Sequence, residues 1–210
     1  MFWLIGINVF VYTIVSIATR IYGPYFYMYI RDRLCMRPDT VLLGWVWTFV
    51  TYMFMHGSIT HLLVNMLGLF IFGAHIERQM GSFEFLLYYL VTGILAGVFS
   101  FGAYLPAYLN SLNSGQPHVV ILLGASGAIF AVQLAYAVFF PDSIIYLWGI
   151  LPLRAPVMVL GYTALEVILQ ITGSNSGVAH LTHLAGFGFG WLYILVRFNI
   201  NPWRRLTRRY

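Results

Sequence analysis

The chain has 210 residues, 60% of them hydrophobic and 8% charged, with a net charge of +5 and a mean hydropathy of +0.82. Soluble domains carry about 25% charged residues, so this composition excludes a soluble globular domain and points to a polytopic membrane protein. Every basic residue is an arginine, and the single Cys35 excludes an intrachain disulfide.

A membrane-crossing helix needs about 20 mainly apolar residues. Six such spans are predicted, near 2–18, 59–76, 83–103, 119–140, 156–172 and 179–198, with no internal repeat. The first, FWLIGINVFVYTIVSIA, imitates a signal peptide at Ser16-Ile17-Ala18, but it lacks a basic leader and five more spans follow. It is short at its N-terminal side, as expected of a chain missing a cytoplasmic leader. The connection from 19 to 58 mixes aromatic rings with Arg20, Arg31, Arg33 and Arg37, which predicts a segment lying in the membrane interface. Shorter links follow: IERQMGS, LPAYLNSLNSGQP, PDS leading towards LPLRAP, and the turn-rich TGSNSG.

Residues 199–210 form a basic tail with Arg204, Arg205, Arg208 and Arg209, read as a cytoplasmic anchor on anionic lipid. No folded basic face accompanies it, so nucleic-acid binding is not expected. Placing the tail inside puts Arg78, Arg154, Arg197 and the four tail arginines on the cytoplasmic side, against four in the first loop.

Polar side chains within spans are functional candidates. Spans two, four and six run in the same direction. His61 and Asn65 lie in the first turns of span two, Ser126 in the upper part of span four, and His180 and His183 open span six. Three helices thus direct polar groups towards one face of the membrane. Taken singly, each has a plain alternative. His61 and Asn65 at i, i+4 share one helix face and suit interhelical hydrogen bonding, and Ser126 suits a helix contact. An all-histidine metal site from His56, His61, His180 and His183 is open in principle, but no carboxylate or thiol is expected in that layer. A haem would need facing histidine pairs. Taken jointly, serine, histidine and amide donors are the set that acyl transfer requires.

The glycines sharpen this reading. Gly124 and Gly127 flank Ser126, and Gly186 and Gly190 form a GxxxG that lets two membrane helices approach closely. Such an approach brings Ser126 and His183 within hydrogen-bond reach. Among the six acidic residues only Glu166 lies inside a span, and no pattern places it beside His183. A Ser–His dyad is therefore expected, with Glu166 and Gln170 tying span five to a neighbour.

The segments HGSITHLLVN at 56–65, GASG at 124–127 and AHLTHLAGFGFG at 179–190 together resemble the rhomboid intramembrane serine proteases, over about residues 1–198. The resemblance implies an all-α polytopic membrane protein: one six-transmembrane-helix bundle over 1–198 with a membrane-interfacial first loop. It implies Ser126 as nucleophile, His183 as general base and His180 as an accessory position. His61, Asn65 and the Ser126 amide would stabilise the oxyanion, and Glu77-Arg78 would partly match a structural motif. Phe130 stands where the family commonly has tyrosine, and its ring would stack beneath His183. Trp47-Thr48 departs from the family's Trp-Arg, which puts that arginine's structural role in doubt. The implied partners are transmembrane protein substrates and the lipid bilayer, with no cofactor, no metal and no nucleic acid. The implied location is the bacterial cytoplasmic membrane, with the site opening to the extracytoplasmic side and the loop at 173–178 and span five as moving parts. A noncatalytic, client-binding relative is the alternative, but such proteins usually lack the serine or histidine that this chain keeps. The sequence sets no oligomeric state.

Overall fold

A computed structural model describes residues 1–115, 119–147, 149–173 and 179–207. In chain order the elements are α1 (Phe2–Tyr22), α2 (Pro24–Leu34), α3 (Pro38–Leu42), α4 (Thr48–Thr51), α5 (Ile59–Gly68), α6 (Ala74–Met80) and α7 (Ser82–Asn113). There follow α8 (Ser126–Phe139), β1 (Ile144–Leu147), β2 (Leu151–Arg154), α9 (Ala155–Ile171), α10 (His180–Phe198) and α11 (Pro202–Leu206). A π turn over Leu69–Gly73 joins α5 to α6, making one span of Ile59–Met80. Among the described residues, that span, α1, α7 and α10 are long and apolar enough to cross a membrane, and α8 and α9 are shorter apolar helices. The chain is a multi-pass helical membrane bundle.

The six predicted spans each correspond to a helix, with three differences. Span three runs on to Asn113 as a 32-residue helix, through Pro106 and into the expected link. One proline removes one backbone hydrogen bond, and the leucines and tyrosines around it continue the turn. Span four begins seven residues later than predicted, at Ser126, because residues 119–125 are not helical. There Leu122 pairs with Met36 in both directions (N···O 3.1 and 2.9 Å), and the Gly124 N–H donates to the Tyr52 carbonyl at 2.8 Å. Third, the link before span five folds as an antiparallel hairpin, with Ile144 opposite Arg154 and Leu147 opposite Leu151. Its strands of four residues are too short for alternation to separate them from the apolar start of α9.

The central element is α8, with buried residues on all its faces from Gly127 to Val138. Its closest neighbour is α10. A Cβ added to Gly186 would overlap the Gly127 carbonyl oxygen, and one added to Gly190 would meet Ala131 and the Tyr88 hydroxyl. The GxxxG of span six thus lies directly on the backbone of α8. Helix α7 braces both: Tyr88 donates its hydroxyl to the Ala131 carbonyl (2.6 Å), and Ser100 Oγ pairs with Thr182 Oγ1 (2.7 Å). At the other end of α7, Glu84 accepts from Tyr193 (2.7 Å) and from Arg197 Nε (2.9 Å).

In the first loop, Arg37 pairs with Asp32 and Asp39. Partial burial raises the Asp32 carboxyl, but hydrogen bonds from Arg31 and Arg37 outweigh it and hold the group below its ordinary range. Thr48, at the position of the family's arginine, is buried and donates to the Trp45 carbonyl at 2.6 Å; the nearby cation is Arg33, stacked over Tyr29 at 4.3 Å. After α10, Pro202 and Leu206 are buried and α11 lies against the bundle. Arg208 and Arg209 of the basic tail lie outside the described residues.

Two outcomes are expected of this architecture. Gly186→Ala should destabilise the bundle by about 1–3 kcal/mol or more, the usual cost of overpacking. Gly188→Ala on the same helix, with open space around it, should leave thermal unfolding in detergent unchanged. Cys35 is fully buried beside the Met36–Leu122 pairing, and desolvation pushes its thiol up to about 12. Iodoacetamide at pH 8 should therefore fail to alkylate the folded protein and should modify it fully once denatured in SDS.

Candidate functional site

Local backbone chemistry places Ser126. Gly124 has φ 113°, a left-handed conformation that favours glycine. The chain can then turn from the paired stretch at Leu122 into α8 within two residues. A side chain at Gly124 would also collide with the His61 ring. Ser126 becomes the first residue of α8, so its hydroxyl and its N–H stand at a helix N-terminus. The first-turn N–H groups there have no intrahelical acceptor and carry the positive end of the helix dipole.

Across from it, α10 presents His183, whose Nε2 lies 2.7 Å from Ser126 Oγ. The Phe130 ring, one turn along α8 from the serine, stacks on the His183 imidazole with centroids 4.5 Å apart and planes 10° apart. On the opposite side stands α5, capped by Ser58, whose Oγ accepts the His61 N–H at 3.1 Å. Its His61 and Asn65 face Gly124, and a cavity of about 730 Å³ is lined by these two residues, Ser126, Phe130, Glu166 and His183 among others. The hydroxyl, imidazole and amide donors therefore converge on one cavity, the set that can attack a carbonyl and hold the resulting oxyanion.

Two further residues belong to this cluster: Glu166, which the sequence reading used only to tie span five to a neighbour, and His56, which it weighed only as a member of an all-histidine metal site. Glu166 does lie beside His183, contrary to expectation. Its Oε2 accepts from His180 Nδ1 at 2.6 Å, and its Oε1 lies 3.1 Å from His183 Nδ1. Gln170, its expected companion, is exposed. The reason is depth. Glu166 sits six positions before the C-terminal end of predicted span five, and His183 four positions after the start of span six, or about 9 and 6 Å at 1.5 Å per residue. Adjacent antiparallel spans bring those levels together, and that arithmetic was available in the sequence. The expectation that no carboxylate shares the histidine layer falls with it. Glu166, His180 and His183 each offer a donor atom within 4.8 Å of the others, close enough for one ion. However, both Nδ1 atoms face the carboxylate, and His183 Nε2 faces the serine.

The second is His56, buried in the loop before α5, whose Nε2 lies 3.0 Å from Asn65 Nδ2 and whose ring meets that of His61 edge-on. Asn65 donates to it, which leaves the second amide hydrogen of Asn65 for another acceptor. No helical spacing announces His56, because it precedes the helix. The mobile turn expected near 173–178 lies mostly outside the described residues.

A Rhomboid domain family model matches residues 43–200, which include all the residues of the cavity named above. The chain is 32% identical over 180 residues to RHOMBOID-like protein 12, mitochondrial, of Arabidopsis thaliana, covering 82% of this chain and 52% of that protein. It is 32% identical over 166 residues to Rhomboid protease AarA of Providencia stuartii, covering 74% of this chain and 58% of the relative. Rhomboid protease GlpG of Haemophilus influenzae is 31% identical over 148 residues, 70% of this chain and 68% of the relative. The chain thus spans little more than half the length of the first two. With the family model matched over most of its residues, the chain belongs to the rhomboid family of membrane proteins.

Proposed function

We propose that this protein is an intramembrane serine endopeptidase that hydrolyses a peptide bond in transmembrane protein substrates. The observation that carries the reading is the 2.7 Å approach of Ser126 Oγ to His183 Nε2 at the head of a helix, inside a cavity of about 730 Å³. In the proposed reaction His183 Nε2 takes the Ser126 proton as Oγ attacks the scissile carbonyl carbon. The oxygen that becomes negative is held by the Ser126 N–H, His61 and the free amide hydrogen of Asn65. His183 then gives its proton to the leaving nitrogen as the peptide bond breaks. Water, activated by the same imidazole, releases the acyl group and restores the serine.

The other residues act as supports. Gly124 admits the His61 ring, Gly127, Gly186 and Gly190 let α8 and α10 touch, and Phe130 fixes the plane of the imidazole. His180 serves as an accessory position through Glu166. A substrate helix must unwind before cleavage, because a helical peptide bond hides its carbonyl carbon. The rhomboid core is assigned to residues 1–198, with 199–210 as a basic cytoplasmic extension. The bacterial relatives and the arginine distribution support a bacterial cytoplasmic membrane, with the site open to the extracytoplasmic face.

A fluorophosphonate probe tests the reading without knowledge of the substrate. Wild-type protein should be labelled at Ser126, and Ser126→Ala and His183→Ala should each abolish labelling; absence of labelling in the folded wild type argues for a noncatalytic, client-binding protein. The oxyanion assignment is tested by cleavage of a transmembrane substrate in liposomes. His61→Ala or Asn65→Ala should each lower kcat by about 10²–10³, the usual cost of one such donor. His56→Ala, which removes one positioning hydrogen bond worth about 1 kcal/mol, should lower kcat only about fivefold with KM unchanged.

A further inference from the structure

We propose that Glu166 is a positioning residue for His183, so that the catalytic unit runs Ser126–His183–Glu166 across three helices, with His180 holding the carboxylate in place. The inference rests on the serine hydrolase reading above and deepens it, since a Ser–His dyad needs no acid.

The proposed reaction needs one tautomer of the imidazole. For Ser126 Oγ to give up its proton, Nε2 at 2.7 Å must be bare, which puts the proton of neutral His183 on Nδ1. That Nδ1 is buried and has no aligned hydrogen-bond partner, yet Glu166 Oε1 lies 3.1 Å away. A desolvated N–H and a carboxylate oxygen at this distance form a hydrogen bond once they are aligned. Catalytic hydrogen bonds are often misaligned before substrate binds and tighten afterwards. When His183 takes the serine proton, both ring nitrogens carry hydrogens. Glu166 is then the negative group in contact with the imidazolium. No proton passes to Glu166 in this scheme: it moves from Ser126 to His183 and on to the leaving nitrogen, while the carboxylate stays ionised and acts by charge and orientation.

The placement of Glu166 also has to be explained. Its side chain is 12% exposed, and an ionised group at that depth is costly unless paired. His180 alone satisfies Oε2, at 2.6 Å. A purely structural tie between α9 and α10 would end there. Instead the second oxygen is turned to the residue one helical turn further along α10, the one that faces Ser126. His180 thus fixes one arm of the carboxylate so that the other stands at the back of the base.

The test uses full-length protein in liposomes, with a transmembrane substrate and the fluorophosphonate probe. Glu166→Gln should leave KM within twofold and lower both kcat and the rate of probe labelling by about 10- to 100-fold. This is less than the roughly 10⁴-fold loss for an aligned triad acid. Nitrogen-15 NMR of the histidines should show His183 as the Nδ1–H tautomer in wild type and as a mixture in Glu166→Gln, a change that loss of a structural tie would not produce. Glu166→Asp should recover part of kcat. Unchanged kcat and labelling in Glu166→Gln, with a labelled wild type, overturn the positioning role and leave the serine hydrolase reading intact. A wild type that fails to label, indistinguishable from Ser126→Ala, overturns the underlying reading instead. If Glu166→Gln does not fold, the wild-type spectrum decides: an Nε2–H tautomer at His183 overturns the proposal.

Discussion

The backbone contact of α8 with α10 at Gly127 and Gly186 is the constraint on which the rest of the molecule depends. A serine side chain reaches one carbon from its backbone, so Ser126 and His183 meet at 2.7 Å only if their helices nearly touch. In lipid no hydrophobic driving force pushes two apolar helices together, and close approach comes from small residues and interhelical hydrogen bonds. Gly186 and Gly190 supply the first against Gly127 and Ala131. Tyr88 to Ala131 and Ser100 to Thr182 supply the second through α7. Any side chain larger than hydrogen at Gly186 separates Ser126 from His183.

A second constraint follows from the length of α8. Its 14 residues reach about 21 Å at 1.5 Å per residue, short of a hydrocarbon layer of roughly 30 Å. The layer above Ser126 is therefore filled by non-helical chain, tolerable at that depth only if its backbone groups find partners within the protein. Leu122 finds Met36, and Gly124 finds Tyr52. The first loop is thus part of the site: its pairing with residue 122 holds the turn that delivers Ser126. The polar side chains gather in the same layer as pairs, His56 with Asn65, Ser126 with His183 and His180 with Glu166. Each pairing offsets the several kcal/mol that an isolated polar group would cost there.

Most of this was legible in the sequence because lipid imposes simple rules. Apolar length located all six helices, and the spacing of His61, Asn65, Ser126 and His183 placed them at one level. Gly124 and the GxxxG of span six announced a tight turn and a close helix contact. What stayed hidden has a common cause: contacts between elements whose register the sequence does not encode. The β1–β2 hairpin needs pairing between strands of four residues, and the late start of α8 is set by Met36, far away in the chain. His56 acts from a loop without periodicity. Glu166 was visible as an intramembrane acid, and its depth matched that of His183; the face it turns depended on how α9 rotates against α10.

That rotation gives the carboxylate a wider meaning for the bundle. The buried residues of α9 are Ala155, Pro156, Met158 and Val159 at its start, and then Glu166. Leu165, Val167, Ile168 and Ile171 around the acid are exposed, so the second half of α9 is anchored to α10 mainly through Glu166. A short arm of few apolar contacts is the kind of element that moves at low cost. Here its anchoring group is also the one behind His183, so displacement of α9 and loss of the His183 contact are a single event. The same carboxylate–histidine contact that closes the bundle on that side would then keep the imidazole oriented only while α9 is seated.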